Sequence, residues 1–302
     1  MKFLLRILRV PRQAIKGTHF QNNYVLILAY RLLMFLLTGL RKDYHVNFRG
    51  MELVAEGGDI TILPTLIDET FEEEEIEWFL ARIREDRGNL LFIDIGANIG
   101  IYSLLALKNK IGVTVAAVEP DKRNLERFKR NVSTYIHTPQ LSIFECAIGI
   151  TDPESLSGLT RNFLQDQNGG TSRFAGLNET FENQILTQVD VLSLHTLTGK
   201  MMLDKFDDVI IKIDVEGFEP EVLQSGLDSI LEYLPTILVE YTNSPKRLDM
   251  SNWDNELLSV LFSKYSTVMA MGSTGMKYLE DPSDLKDYSE NEVLNLVFDI
   301  KT

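Results

Sequence analysis

The chain is 302 residues long, 44% apolar and 25% charged, with 9 prolines and 19 glycines, a composition that excludes a disordered tail or a fibre. A single cysteine, Cys146, excludes a disulfide framework and a cysteine-based zinc site, and the 4 histidines are too scattered for a metal cluster. The formal net charge of −14 argues against a general nucleic-acid binder, which needs a basic face to displace phosphate counterions.

The charge is unevenly spread. Residues 1–45 hold eight basic side chains (Lys2, Arg6, Arg9, Arg12, Lys16, Arg31, Arg41, Lys42) and one acid, Asp43, so this piece carries +7 and the remainder −21. A basic, apolar head on an acidic body predicts peripheral contact with an anionic surface, phospholipid first, by an otherwise cytoplasmic protein. Residues 2–9 predict an amphipathic helix with Lys2, Arg6 and Arg9 on one face, interrupted at Pro11. Residues 24–40 are apolar nearly all round but broken by Arg31, shorter than the roughly 20 apolar residues of a spanning helix. Three readings of that run stay open: a helix packed on the body, a peripheral membrane anchor, or a span. No cleavage site of the signal-peptide kind follows it.

Residues 45–64 contain two alternating runs, HVNFRGMELVA and DITILP, separated by Gly57-Gly58, and predict a hairpin turning at those glycines. The next stretch, DETFEEEEIEWFLARIRED, predicts a helix with acids in its first turns and an apolar stripe of Ile76, Phe79, Leu80 and Ile83. The chain thus parses into a head at 1–44, a hairpin and acidic helix at 45–88, and a catalytic domain at 89–302.

From residue 90 short apolar strands alternate with helices. Strands are predicted at 90–95, 113–118, 141–145, 209–214 and 236–240, and helices near 100–109, 121–136 and 218–233. Near-continuous apolar strands separated by helices predict a doubly wound α/β fold with a mostly parallel sheet covered on both faces. Residues 265–271 and 292–300 predict a closing antiparallel strand pair with no helix between them. The gap from about 146 to 208 exceeds what a crossover needs. It holds a Gly-rich loop, Asn168 to Ser172, and a strand-like VDVLSL at 189–194, and reads as an insertion on the substrate side.

The strongest local signal is Asp94-Ile95-Gly96-Ala97-Asn98-Ile99-Gly100, which follows an apolar strand and opens a helix. Glu119 ends the next strand, 23 residues past Gly96, where an acid can accept both ribose hydroxyls of a nucleoside. A dinucleotide loop would read G-x-G-x-x-G and hold a pyrophosphate on free amides. Here the pattern is G-x-x-x-G with an acid two positions before the first glycine, which repels a pyrophosphate and suits the cationic amino-acid end of S-adenosyl-L-methionine. The closing antiparallel pair fits the seven-stranded, Rossmann-like class I methyltransferase sheet in the same way.

DIGANIGIYS, AVEPDKRNLERFKRN, IKIDVEGFEPEVLQSG and TILVEY together resemble the FkbM-type S-adenosylmethionine-dependent methyltransferases over roughly residues 88–245. The resemblance implies O-methylation of a hydroxyl on a sugar, glycolipid, polysaccharide or macrolide. It implies cofactor contacts from Asp94, Gly96, Ala97, Asn98 and Gly100, ribose binding by Glu119, and an adenine site near Cys146 and Ala147. One departure stands out: the family reads Leu-Asp where this chain has Leu194-His195.

Methyl transfer to an alcohol needs in-line alignment and a base or a group that steadies the forming alkoxide. Asp214 and Glu216, at the end of the fourth predicted strand, are the candidates for base work or hydroxyl binding, with Lys212 on the same strand face as Asp214. His195 is a further base candidate. Glu219 reads as a helix-start acid favoured by the dipole. No third ligand accompanies Asp214 and Glu216, so no metal is assigned. Two other readings remain: a noncatalytic S-adenosylmethionine-binding protein, supported by His195 alone, and a nicotinamide-dependent oxidoreductase.

Overall fold

A computed structural model of the protein describes residues 43–57, 59, 62–151, 159–165, 173–174, 185–242, 253, 255–273, 275–289 and 292–300. The predicted helices at 2–9 and 24–40, with the membrane contact assigned to residues 1–45, lie outside these residues except for 43–45, as does the Gly-rich loop at 168–172. Among the described residues no helix is long and apolar enough to cross a membrane. The chain divides into two compact units, residues 1–73 with 166–170, and residues 74–165 with 171–302.

In the first unit, β1 (Asp43–Phe48) and β2 (Met51–Glu56) pair antiparallel, with Phe48 opposite Met51. The turn is therefore Arg49-Gly50, with φ of 48° and 75°, and not Gly57-Gly58. Two residues at positive φ give a turn whose twist matches that of the strands, which fixes the hairpin there. The second predicted run becomes a helix, α1 (Ile62–Asp68), whose first amide, Ile62 N–H, donates to Asp59 Oδ1 at 3.0 Å. A carboxylate at that place satisfies an orphan amide and starts the helix.

Helix α2 (Glu73–Ile83) buries Ile76, Phe79, Leu80 and Ile83, the predicted stripe. In the larger unit, β3 (Leu90–Ile95) is buried along its whole length and leads through Gly100 into α3 (Ile101–Asn109). β4 (Thr114–Val118), α4 (Lys122–Asn131) and β5 (Leu141–Phe144) follow, the helix ending five residues before its predicted limit of 136. The inserted region forms a sheet of its own from β6 (Ala147–Ile148), β7 (Leu159–Gln165), β8 (Arg173–Phe174) and β9 (Ile185–Leu192), in the order β6-β9-β7-β8.

After β9 the side chain of Ser193 accepts from Thr196 N–H and opens α5 (Leu194–Met201), so Leu194, the last residue of the predicted strand run, is helical, as is His195. β10 (Asp208–Ile213) comes next. The predicted helix at 218–233 is two, α6 (Glu219–Gln224) and α7 (Leu227–Tyr233). They part at Gly226, where a Cβ would stand 2.5 Å from Leu194 Cγ, so the break lets α5 pack closely. β11 (Thr236–Thr242), α8 (Asn255–Lys264), β12 (Thr267–Gly272), β13 (Gly275–Leu279) and β14 (Val293–Asp299) complete the larger unit.

The main sheet runs β13-β12-β14-β11-β10-β3-β4-β5. β5, β4, β3, β10 and β11 are parallel, and β14 pairs antiparallel with both β11 and β12. This is the expected doubly wound α/β sheet with an antiparallel close, seven strands plus an eighth, β13, as an added edge. A 3₁₀ turn at Pro282–Asp287 lies between β13 and β14, where no helix was expected. Strand order reverses between β3 and β10, which puts the ligand crevice of such a sheet at their carboxyl ends.

At the opposite end of the sheet an ion network ties β10, β11, β14 and α2 together. Arg82, 3% exposed, donates from Nη1 and Nη2 to the two carboxylate oxygens of Asp208 at 2.8 and 2.7 Å, and from Nη2 to Thr236 Oγ1 at 2.8 Å. Thr236 Oγ1 donates in turn to Asp299 Oδ1 at 2.7 Å, and Arg87 Nη1 lies 3.3 Å from the same oxygen.

Candidate active site

The crevice is built where β3 and β10 end. Asp214 N–H donates to Ile95 O at 3.0 Å, so the two strands still run side by side one residue past their limits. Gly96 then turns away at φ 81°, and a Cβ on it would lie 1.8 Å from Asp214 O. Only glycine fits that approach. Asn98 and Gly100 also sit at positive φ, 50° and 85°, and Asn131 Nδ2 braces the loop by donating to Ile99 O at 2.8 Å.

The amides of Gly96, Ala97, Asn98 and Gly100 are engaged within the protein. Gly96 N–H and Ala97 N–H both donate to Val118 O at 3.0 Å, and Gly100 N–H donates to Ala97 O at 2.8 Å. Asn98 N–H donates to Glu119 Oε2 at 2.8 Å. A phosphate cradle needs such amides free, so this loop does not fit a diphosphate-bridged coenzyme. Glu119 is 5% exposed and its other oxygen, Oε1, accepts from Asp121 N–H at 2.8 Å. Burial pushes its carboxyl up to about 7 despite those bonds. An ionised carboxylate has about four lone-pair sites; two backbone amides and the Asn124 side chain already use three, so one ribose hydroxyl fills the remaining site and a second would share an oxygen with a bond already made.

Asp94 is 1% exposed, and its Oδ2 accepts from Ser103 N–H at 3.0 Å and Ser103 Oγ at 2.6 Å. It therefore caps the first turn of α3, and burial raises its carboxyl while Lys212 opposes the rise. Cys146 and Ala147 are buried just past β5, and burial pushes the Cys146 thiol up to about 12, which makes it a packing residue and not a nucleophile.

Lys212, the register partner of Asp94, is buried on β10. Its Nζ lies 2.6 Å from Asp214 Oδ2 and 4.6 Å from the centroid of the Tyr102 ring. Beyond Asp214 the chain turns through Glu216 at φ 57° and Gly217 at φ 101°. Glu219 holds that turn, its Oε1 accepting from Val215 N–H and Gly217 N–H, both at 3.0 Å. Glu219 is thus more than a helix-start acid. The inserted sheet packs against the same turn, with Phe163, Val189 and Val191 around Phe218 and Val215. Arg161 Nη1 adds an ion pair to Glu221 Oε1 of α6 at 2.5 Å.

The structure therefore brings Lys212 and Asp214 into direct contact, with Glu216 on the adjoining turn. His195 stands apart from that pair in its bonding. It is exposed on α5, its Nδ1 is 2.9 Å from Ser229 Oγ of α7, and its N–H donates to Ser225 O at 3.2 Å. Its hydrogen bonds run along the α5–α7 seam. One residue that the sequence reading passed over is Glu240, at the carboxyl end of β11. Its carboxyl is raised by burial and then by the charges of Asp214, Glu219 and Glu216. Its place in TILVE, the carboxyl end of a buried strand, was the available signal. Among the described residues no group of three or more His, Cys, Asp or Glu is arranged to hold a metal ion.

The model of the methyltransferase FkbM domain matches residues 94–264, more than half of the chain. The chain belongs to the FkbM methyltransferase family. Its cofactor is S-adenosyl-L-methionine, and it is a Rossmann-like methyltransferase. Among curated proteins it is similar to Methyltransferase 1 of Beauveria bassiana, 25% identical over 170 residues, 50% of this chain and 64% of that protein. It is also 25% identical over 178 residues to the AMB antimetabolite synthetase AmbE of Pseudomonas aeruginosa, 49% of this chain and 8% of that one. The chain thus spans less than two thirds of either relative. Among solved structures, Methyltransferase FkbM from Methylobacillus flagellatus is 17% identical, with a TM-score of 0.39 over 78% of this chain and 54% of that chain.

Proposed function

We propose that this FkbM methyltransferase transfers a methyl group to a hydroxyl of a sugar, glycolipid or polysaccharide. The observation that carries this reading is the contact of Lys212 with Asp214, Nζ to Oδ2 at 2.6 Å, at the carboxyl end of β10 beside the glycine loop. A carboxylate there is a proton acceptor for an alcohol, and the ammonium steadies it and the oxygen that loses its proton. When bound, S-adenosylmethionine supplies a methyl on a sulfonium, a good leaving group. Glu119 would hold the ribose, and the Gly96–Gly100 loop would lie against the amino-acid end, with Asp94 fixing that loop through α3 and Ser103. Cys146 and Ala147 would border the adenine. Asp214 takes the hydroxyl proton, Lys212 orients Asp214, and Glu216 accepts a hydrogen bond from a neighbouring hydroxyl. His195 has no part in this scheme, and neither does a metal. The test is a panel of glycans, glycolipids and polysaccharides with labelled S-adenosylmethionine. Label transferred to a hydroxyl, and lost in D214N, supports the reading; transfer to nitrogen or carbon alone sinks it.

Glu119 gives a second test that needs no acceptor. Glu119→Ala is expected to weaken S-adenosylhomocysteine binding about 10- to 100-fold by calorimetry, the loss of roughly two charge-assisted hydrogen bonds. The pH dependence has a defined sign. The native carboxyl, near 7 against 4.5 as its ordinary value, keeps a proton that the unfolded chain has released. Its contribution to stability is therefore present below pH 4.5 and is lost as pH rises through 7. Ribose hydroxyls favour the ionised form, so affinity should rise up to about tenfold from pH 6 to 8, with proton release. Flat affinity across that range, or an unchanged slope in Glu119→Gln, would remove Glu119 from the ribose site.

A further inference from the structure

Glu119 is held from three sides. Asn98 N–H of the glycine loop donates to its Oε2 and Asp121 N–H to its Oε1, both at 2.8 Å. The third donor is the side-chain amide of Asn124, in the first turn of α4. Asn124 and Glu119 are each 5% exposed, so this bond lies away from solvent. Behind the carboxylate, Glu119 N–H donates to Phe144 O at 3.1 Å and ties the end of β4 to β5.

The local chain explains why the third donor is an asparagine. Asp121 caps α4, its Oδ1 accepting from Arg123 N–H at 2.8 Å, which puts Asn124 at the third helical position. A glutamate or glutamine at that position commonly reaches back to the cap residue's own amide. Here the Asp121 amide is taken by Glu119, so a side chain at the third position meets a carboxylate and must donate to it. A glutamate would repel that carboxylate, and an alanine would leave it a donor short. Helix propensity does not account for the residue, because asparagine is a weak helix former.

A buried carboxylate keeps its charge only where hydrogen bonds replace the water it has lost. Burial raises Glu119 to about 7, and the bonds from Asp121, Asn98 and Asn124 oppose that rise. Among charged groups Asp121 acts on it most strongly and pushes the same way as burial, with Arg123 Nη2 2.9 Å from Asp121 Oδ2. On the neighbouring elements Arg127 donates to Arg123 O, Lys129 pairs with Glu145 past β5, and Asp94 at the end of β3 accepts from Ser103. Glu119 is thus ionised by a narrow margin at neutral pH. Of its three donors, Asn124 is the one that a side-chain substitution removes.

We propose that Asn124 is a positioning residue of the cofactor site, donating to Glu119 so that the carboxylate stays ionised and in place for the ribose hydroxyls. The proposal rests on the reading of Glu119 as the ribose carboxylate, and Asn124 itself does not touch the ligand.

The test is calorimetry of the full chain with S-adenosylhomocysteine from pH 6 to 9, together with a ¹³C NMR titration of the carboxyls in the ligand-free protein. In N124L the pH at which affinity rises should move up by about one unit, the scale of one lost bond to a charged group. Affinity should then be about fivefold weaker than that of the unsubstituted chain at pH 7, and equal to it by about pH 9. N124D keeps the shape of asparagine but sets an anion beside Glu119, so its midpoint should move up at least as far. If N124L does not fold, N124A carries the same expectation. A side chain that only fills space would leave the midpoint unmoved in both variants, and that result overturns the proposal. The NMR titration separates this outcome from a failure of the ribose reading. If Glu119→Ala binds S-adenosylhomocysteine undiminished, the ribose reading fails. A Glu119 carboxyl that still titrates about one unit higher in N124L then upholds the Asn124 bond, and one that titrates where it does in the unsubstituted chain overturns it.

Discussion

Gly96→Ala is expected to abolish measurable S-adenosylhomocysteine binding and to destabilise the larger unit by about 2–4 kcal/mol. Two effects add. The new Cβ would be placed 1.8 Å from Asp214 O, and backbone on both sides leaves nothing flexible to yield. The residue would also hold φ 81°, which carries a penalty of about 1 kcal/mol for an L side chain. Relief requires β3 and β10 to separate at their carboxyl ends. That movement breaks the Asp214 N–H to Ile95 O bond and displaces Asp214 from the glycine loop. Urea denaturation and calorimetry check both halves of the expectation. Retained binding with wild-type stability would mean that the crevice is not organised around this contact.

The second large effect lies at the far end of the sheet. Arg82→Ala should cost about 3–5 kcal/mol, the range for removing one partner of a buried ion pair. The guanidinium bonds both oxygens of Asp208 and the hydroxyl of Thr236, and its Nε is 3.5 Å from Asp299 Oδ2. Its loss strands Asp208 as a partly buried anion in β10, while Asp299 in β14 keeps Arg87 and Thr236. A cycle with Asp208→Asn measures the coupling: the second substitution should be far less harmful once Arg82 is gone. Additive losses in urea denaturation would show that the pair acts independently. Affinity for S-adenosylhomocysteine per folded molecule should stay unchanged, because the network is at the opposite end of the strands from the crevice.

How much of this was legible in the sequence depends on the range of the interaction. LLFIDI, with no polar residue before Asp94, could only be a central strand, and the observed limits of β3 are those predicted. The stripe of α2 was equally plain, since its burial follows the 3.6-residue period. The hairpin turn was missed because Gly57-Gly58 is the louder signal, whereas Arg49 carries a positive φ that arginine seldom adopts. β13 was missed because an exposed edge strand has no apolar pattern to announce it. Asp94 was legible as a key position, but its bond to Ser103 depends on how the helix returns over the strand. Glu240 was legible from TILVE as an acid late in a buried strand, but its surroundings were not, for a related reason. Sheet register sets it beside Asp214, and the turn after β10 carries Glu219 back toward it.

The placement of β14 between β11 and β12 bears on how the chain is made. Residues 293–299 leave the ribosome after every other strand of the sheet, yet they fill an interior position in it. Until they emerge, β11 offers a bare edge and β12 with β13 waits as a detached ribbon. The nascent protein must therefore guard a half-finished sheet against unwanted strand pairing throughout its elongation, and the last strand in sequence closes it like a keystone.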